Sequence, residues 1–447
     1  MFQRTILDDF ESWANKNHRK PLILRGARQV GKTTAVRMFA ERFPEFIDLN
    51  LEIHSERNLF EKNYSIEELL QAIHFIKNKK RLTGKKTLIF IDEIQNSPAA
   101  IAALRYFYES ASEYFVIVAG SLLETILDTN VNFPVGRVEY LFMKPITFLE
   151  YLRALDPRSY EFIQGAPQAR DHVHAQLMKH FFQYTLIGGM PEVVKEYQAT
   201  LDLVRLKSIY DSLLLSYLDD VEKYANNDPQ VRVIRHVIET SFSAAGERIR
   251  FEGFGQSRYR SREISEAFKV LEKSMVLHLM YPSVNLKPPM LADYKKSPRL
   301  HLLDTGLVNY FSGLQKELFT SQNLDEFYKG KIAEHIVGQE LLAQFQSLNE
   351  KIHFWVREKK QSQAQVDYLI PFKDLLLPIE VKIGKAGRLR SLHEFIDQCP
   401  HHYGIRIYSG PYGIDQVNTL KGKPYQLINL PFYLIGKIKE ILETIIN

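Results

Sequence analysis

The sequence predicts an α/β protein whose N-terminal part, about residues 1–160, is a doubly wound parallel sheet. Three apolar runs predict it. Pro21 to Leu24 leads into a glycine-bounded loop, Gly26-Ala27-Arg28-Gln29-Val30-Gly31-Lys32-Thr33, and then into a helical pattern that reaches about Arg42. Thr87 to Ile91 ends in Asp92-Glu93, and Tyr114 to Ala119 ends at Gly120-Ser121. Apolar strands alternating with helical patterns are the signature of a parallel sheet covered by helices.

In the first element the order is strand, loop, helix. Successive backbone N–H groups and the helix N-terminus then converge on one point, and the glycines allow an anion to approach closely. This is a phosphate-binding loop, so Gly26, Ala27, Arg28, Gln29, Val30, Gly31, Lys32, Thr33 and Thr34 are the expected contacts of ATP. Lys32 would reach the β and γ phosphates, and the Thr33 hydroxyl would ligate Mg2+. The second strand delivers carboxylates at its C-terminal tip: Asp92 would hold the hydrated ion and Glu93 would orient or deprotonate the attacking water. Ser121, at the tip of the third strand, either contacts the γ phosphate or caps the helix that follows.

Composition bounds the rest. A chain of 447 residues exceeds what one core usually organises, and 45% hydrophobic with 25% charged residues is ordinary for a globular protein. The start, MFQRTILDDFESW, has no uninterrupted apolar region of a secretion signal, and no apolar run is long enough for a bilayer-spanning helix. Cys399 stands alone and cannot form an internal disulfide. These observations point to a cytoplasmic protein with no membrane partner.

With these residues in view the chain resembles a known group. GARQVGKT, IDEIQ, VIVAGS, GRVEYLFMKPITFLEYL and GGMPEVV at Gly188 to Val194 are similar to bacterial and archaeal AAA-type ATPases that carry a C-terminal nuclease-like domain of unknown function. The resemblance implies an AAA+-like P-loop fold and an ATPase acting as a homo-oligomer, such as a hexameric ring. In such rings an arginine from a neighbouring subunit completes the site, and Arg137 is the candidate here. An arginine beginning a strand is otherwise a surface ion pair.

From about His172 to Ser243 apolar residues recur mostly at helical spacing, interrupted at Gly188-Gly189, and predict a helical lid and connector, placed at residues 161–229. Residues 230–318 predict a winged helix. Ser261 would cap a helix with Ile264, Phe268, Leu271 and Met275 on its apolar face. A strand at Val276 to Leu279 follows, then an exposed hairpin from Pro282 to Pro298 and a return strand at Leu300 to Leu303. Between Gly246 and Leu300 there are eleven Lys or Arg against six Asp or Glu, an excess of +5 that equals the formal charge of the whole chain. Arg258, Arg260, Arg262, Lys269, Lys273, Lys295 and Lys296 are therefore the expected DNA contacts, although winged helices also dock proteins.

The last part, residues 319–447, predicts an α/β domain. Glu334 lies in a helical pattern, Asp367 on one strand, and Glu380 and Lys382 on the next, two apart and so on one face. A hairpin across the thirteen residues from Asp367 to Glu380 would bring the acids together on one Mg2+, or Mn2+. These residues resemble the PD-(D/E)xK nuclease signature, with Gln365-Val366 standing where its proline would precede Asp367. The resemblance implies Asp367 and Glu380 as metal ligands, with Lys382 and Glu334 assisting. By itself an E-x-K on a strand is a cross-strand ion pair.

Two functions are thus expected. One is an ATP-driven enzyme on DNA that grips a duplex with the winged helix and cuts it with the last domain. The other is a nucleotide-dependent switch or assembly protein whose downstream domains bind a protein partner.

Overall fold

A computed structural model describes residues 2–80, 86–120, 133–165, 170–225, 227–314, 331–345, 351–357, 364–383 and 389–446. These residues fall into two compact units, one of Gln3–Lys144 with Lys273–Val276 and one of Pro145–Glu272 with Leu277–Asn447.

The first unit is built on five parallel strands: β1 Leu22–Arg25, β2 Glu45–Asn50, β3 Thr87–Asp92, β4 Phe115–Ala119 and β5 Glu139–Phe142, in the order β2-β3-β4-β1-β5. The apolar runs become strands because helices cover both faces, leaving Ile23, Ile89, Ile91 and Val118 buried with no polar alternation. β1, which leads into the loop, lies between β4 and β5, with Leu22 opposite Ile117 on one side and Glu139 on the other. β3 lies next to β4, so the tips of β1, β3 and β4 share the C-terminal edge of the sheet. Ligands of open α/β sheets bind at that edge.

In the second unit the helix Asp171–Ile187 ends at the glycine pair, and Pro191 opens the helix Pro191–Thr200. Ser261–Lys273 is helical, with Ile264, Ala267, Phe268 and Leu271 buried. Ser261 is its first helical residue rather than its cap. The Arg260 amide is instead satisfied by the Glu263 carboxylate at 2.8 Å. Strands β6 Leu277–Met280 and β8 Arg299–Leu302 pair antiparallel, Leu277 opposite Leu302.

The segment between them is not the free hairpin the sequence suggested. Within it β7, Pro282–Ser283, pairs in parallel with β9, His353–Val356. It thereby closes one edge of a seven-stranded sheet ordered β13-β14-β12-β11-β10-β9-β7. The other members are β10 Gln365–Phe372, β11 Leu375–Lys382, β12 Tyr403–Tyr408, β13 Gly413–Asn418 and β14 Pro424–Pro431. β10 and β11 form the expected antiparallel hairpin, Tyr368 opposite Ile379, turning through Lys373 in the left-handed region. Trp355, Val366, Leu369, Phe395 and Tyr425 form its core.

Candidate active site

The loop leaves β1 at Arg25 and enters the helix Lys32–Ala40. Gly31 sits at φ 95°, a conformation L side chains rarely adopt. A Cβ at position 26 would lie 2.5 Å from the Met143 carbonyl oxygen, so only glycine lets β5 pass this close. Ala27 and Val30 are fully buried and anchor the loop, whereas Gln29 and Thr34 are exposed and Arg28 is half-buried. The Lys32 ammonium donates to the carbonyls of Gly26 at 2.9 Å and Ala27 at 2.8 Å, and so lies within the curve of the loop.

The two halves of the site meet. Thr33 Oγ1 donates to Asp92 Oδ2 at 2.7 Å, across 59 residues of sequence. Burial holds the Asp92 carboxyl above the usual range, opposed by its hydrogen bonds from Thr33 and the Glu93 amide and by the charge of Lys32. Glu93 stands in the left-handed region at φ 53° and is likewise raised, by burial first and then by the charge of Asp92. A hydroxyl and a buried carboxylate in contact are hard oxygen donors of the kind Mg2+ takes, and a dication would relieve the cost of burying Asp92.

Two side chains join the site that the sequence did not single out. Arg4 is buried, and its guanidinium donates to the Val30 carbonyl at 3.0 Å and the Lys144 carbonyl at 2.6 Å, tying the loop to the end of β5. Nothing in Phe2-Gln3-Arg4 signals that role. Gln95 Nε2 donates to the Glu93 carboxylate, and its Oε1, buried without a partner, lies where a Cβ of Gly120 would fall. Gln95 therefore bridges the tips of β3 and β4. Replacing Gln95 by Ala is expected to lower kcat for ATP roughly tenfold while leaving KM within about twofold, because its hydrogen bond is to Glu93 and it would act by orienting that carboxylate. Steady-state kinetics check this, and a change confined to KM would remove Gln95 from that role.

Arg137 is paired with Glu109, whose carboxylate also takes Arg105, and Arg137 is the first of the partners that lower the Glu109 pKa. Ser121 lies outside the described residues.

The first unit has a parallel sheet, a glycine-bounded loop and paired carboxylates at one edge, the arrangement of a P-loop nucleotide-binding domain. Residues 18–152 match the family described as an AAA domain. Residues 178–318 and 329–428 match two domains of unknown function, DUF8612 and DUF4143. Similar solved structures include a Walker-type ATPase of Pyrococcus abyssi, 14% identical over 70% of this chain and 96% of that one, with a TM-score of 0.46. PCH-2 of C. elegans is 10% identical over 44% of this chain and 62% of that one, TM-score 0.27. The RuvB Holliday junction branch migration motor of Thermotoga maritima is 12% identical over 66% and 93%, TM-score 0.29. No curated protein matches the chain.

Of the basic residues expected to contact DNA, Arg258, Arg260, Arg262, Lys269 and Lys295 are exposed, and Lys273 and Lys296 are half-buried. Arg262 pairs with Glu266 at 2.8 Å and Lys296 with Asp293 at 3.4 Å. The basic count loses one member, because Arg299 is only 3% exposed and faces inward.

Arg299 enters the C-terminal acid cluster. Its Nη1 lies 3.4 Å from Glu334 Oε2 and donates to the Asp367 carbonyl at 3.0 Å, and its Nη2 lies 4.0 Å from Asp367 Oδ1. Asp367 Oδ2 accepts from the Val381 amide at 2.8 Å, and Lys382 Nζ donates to Glu380 Oε1 at 2.7 Å. The structure thus gathers Glu334, Asp367, Glu380 and Lys382, as the sequence led us to expect. Glu334 and Asp367 face a guanidinium while Glu380 pairs with Lys382, and among the described residues no group of three or more acids, histidines or cysteines is arranged to hold a metal. Burial raises Glu334, Asp367 and Glu380, and Arg299 pulls the first two back down. Among the described residues no helix is long and apolar enough to cross a membrane.

Proposed function

We propose that the protein hydrolyses ATP with Mg2+ at the N-terminal loop and spends the hydrolysis on DNA held by the basic middle segment. The observation that carries the ATPase reading is the 2.7 Å contact between Thr33 and Asp92, which puts the loop's hydroxyl and the carboxylate of β3 at one point. Thr33 and Asp92 would hold the ion, which when bound supplies positive charge to the phosphate oxygens. Lys32 exchanges the carbonyls of Gly26 and Ala27 for the β and γ phosphates. Glu93 takes a proton from the attacking water, with Gln95 keeping its carboxylate in place. Arg137, at the surface with Glu109, would exchange that partner for the phosphates of a neighbouring subunit in a homo-oligomer.

The DNA part rests on the exposed side chains of Arg258, Arg260 and Arg262, which lie before and at the start of a helix followed by the β6–β8 pair. Replacing all three by Ala is expected to weaken binding to duplex DNA and to lower the slope of log affinity against log salt by about two to three, because each phosphate contact releases close to one counterion. The slope is read by titrating labelled duplex at several salt concentrations. Equal slopes in variant and parent would favour the second reading, an assembly protein that docks a protein partner. The ion pairs of Arg262 and Lys296 with neighbouring acids favour that reading. DNA-stimulated ATP turnover separates the two directly, since an assembly protein turns over ATP at the same rate with and without DNA. Cleavage of the DNA is left out of this proposal because Arg299 stands among the acids that would perform it.

A further inference from the structure

We propose that the guanidinium of Arg299 stands in the place of a divalent cation in the C-terminal acid cluster. Glu334, Asp367 and Glu380 then bind neither Mg2+ nor Mn2+, and the domain is a metal-free charge cluster rather than a nuclease centre. The carboxylates are already engaged. Glu334 and Asp367 face Arg299, Asp367 also accepts the Val381 amide, and Glu380 accepts Lys382. Three carboxyl groups and two cations therefore share the cluster, and Glu380 Oε2 is buried without a hydrogen-bond partner.

Arg299 cannot give way as water or a lysine could. Arginine does not lose its proton in a protein, so the positive charge stays at every ordinary pH. The side chain is only 3% exposed and is flanked by the rings of Phe354 at 5.0 Å and Tyr368 at 5.7 Å. Its backbone is held in β8 opposite Met280. A dication entering beside this fixed charge would meet repulsion at a few ångströms in a site shielded from water. The sequence could not show this, since Arg299 is 68 residues from Asp367 and reads as one more member of a basic run.

The test is Mn2+ binding, followed by the electron paramagnetic resonance signal of the free ion, on the full chain carrying Asp92→Ala to remove the loop site. With Arg299 present, adding Glu380→Gln is expected to change nothing up to about 1 mM Mn2+. Arg299→Met, close in length and uncharged, is expected to gain one Mn2+ per chain with affinity at least about tenfold tighter, and Glu380→Gln should abolish the gain. A Glu380-dependent Mn2+ site in the Arg299 protein would overturn the proposal, and so would a folded Arg299→Met protein that gains none. If Arg299→Met does not fold, the comparison of the Arg299 protein with its Glu380→Gln form decides alone.

Discussion

Replacing Lys32 by alanine is expected to weaken ATP binding roughly a hundredfold, because hydrogen bonds to charged groups contribute about 1.5–3 kcal/mol each and Lys32 would supply the charge aimed at the phosphates. Replacing Glu93 by glutamine is expected to do the opposite: ATP binds as before and turnover falls by about 10² to 10⁴, the usual contribution of a positioned general base. The distinction follows from the geometry. Lys32 lies inside the loop on the carbonyls of Gly26 and Ala27, whereas Glu93 stands just past the tip of β3 beside Asp92, attached to Gln95. Titration with a fluorescent nucleotide and single-turnover hydrolysis measure the two effects separately. Normal turnover in Glu93→Gln would mean that another group activates the water.

The second large effect is expected at Gly188. This residue ends the helix Asp171–Ile187 at φ 75°, ψ −168°, a region open to glycine alone. A Cβ there would lie 2.1 Å from Asp304 Oδ1. Asp304 is completely buried, accepts from the Gly189 amide at 2.6 Å, and caps the helix Thr305–Phe311 by accepting from Leu307 at 3.1 Å. Burial raises its pKa to about 6 in spite of these bonds. Gly188→Ala must therefore strain the backbone and displace the carboxylate that satisfies two buried amides. Backbone strain costs about 1–3 kcal/mol and an unsatisfied buried group about 1–3 kcal/mol more, so a loss of about 3–5 kcal/mol is expected. Thermal unfolding and hydrogen exchange of the amides around Gly189 should both report it. A loss below about 1 kcal/mol would show that Asp304 has another place to go.

The parts of the molecule legible in the sequence are those set by neighbours in the chain. β1, the loop and its helix form one continuous stretch, and the apolar runs that became β3 and β4 bury both faces, so their pattern needs no distant partner to be read. The β10–β11 hairpin was legible for the same reason, since thirteen residues fix which strands can pair. The contact of Thr33 with Asp92 was legible at one remove, because a phosphate-binding loop requires a carboxylate and only a strand tip can deliver one.

What tertiary structure alone decided are the partners drawn from far along the chain. Arg4 reaches Val30 and Lys144, Gln95 is placed by Gly120, and β7 leaves the expected hairpin to pair with β9. Arg299 shows the difference most plainly. In the sequence it is a cation in a basic segment, and a cation's usual place is solvent; in the fold β8 carries it inward, where aromatic rings cover it and two carboxylates face it. Local pattern specifies which residues are charged and which strands are buried. Whether a charge meets water, a phosphate or a buried carboxylate depends on what the rest of the chain packs against it, because solvation by distant groups leaves no periodicity to read.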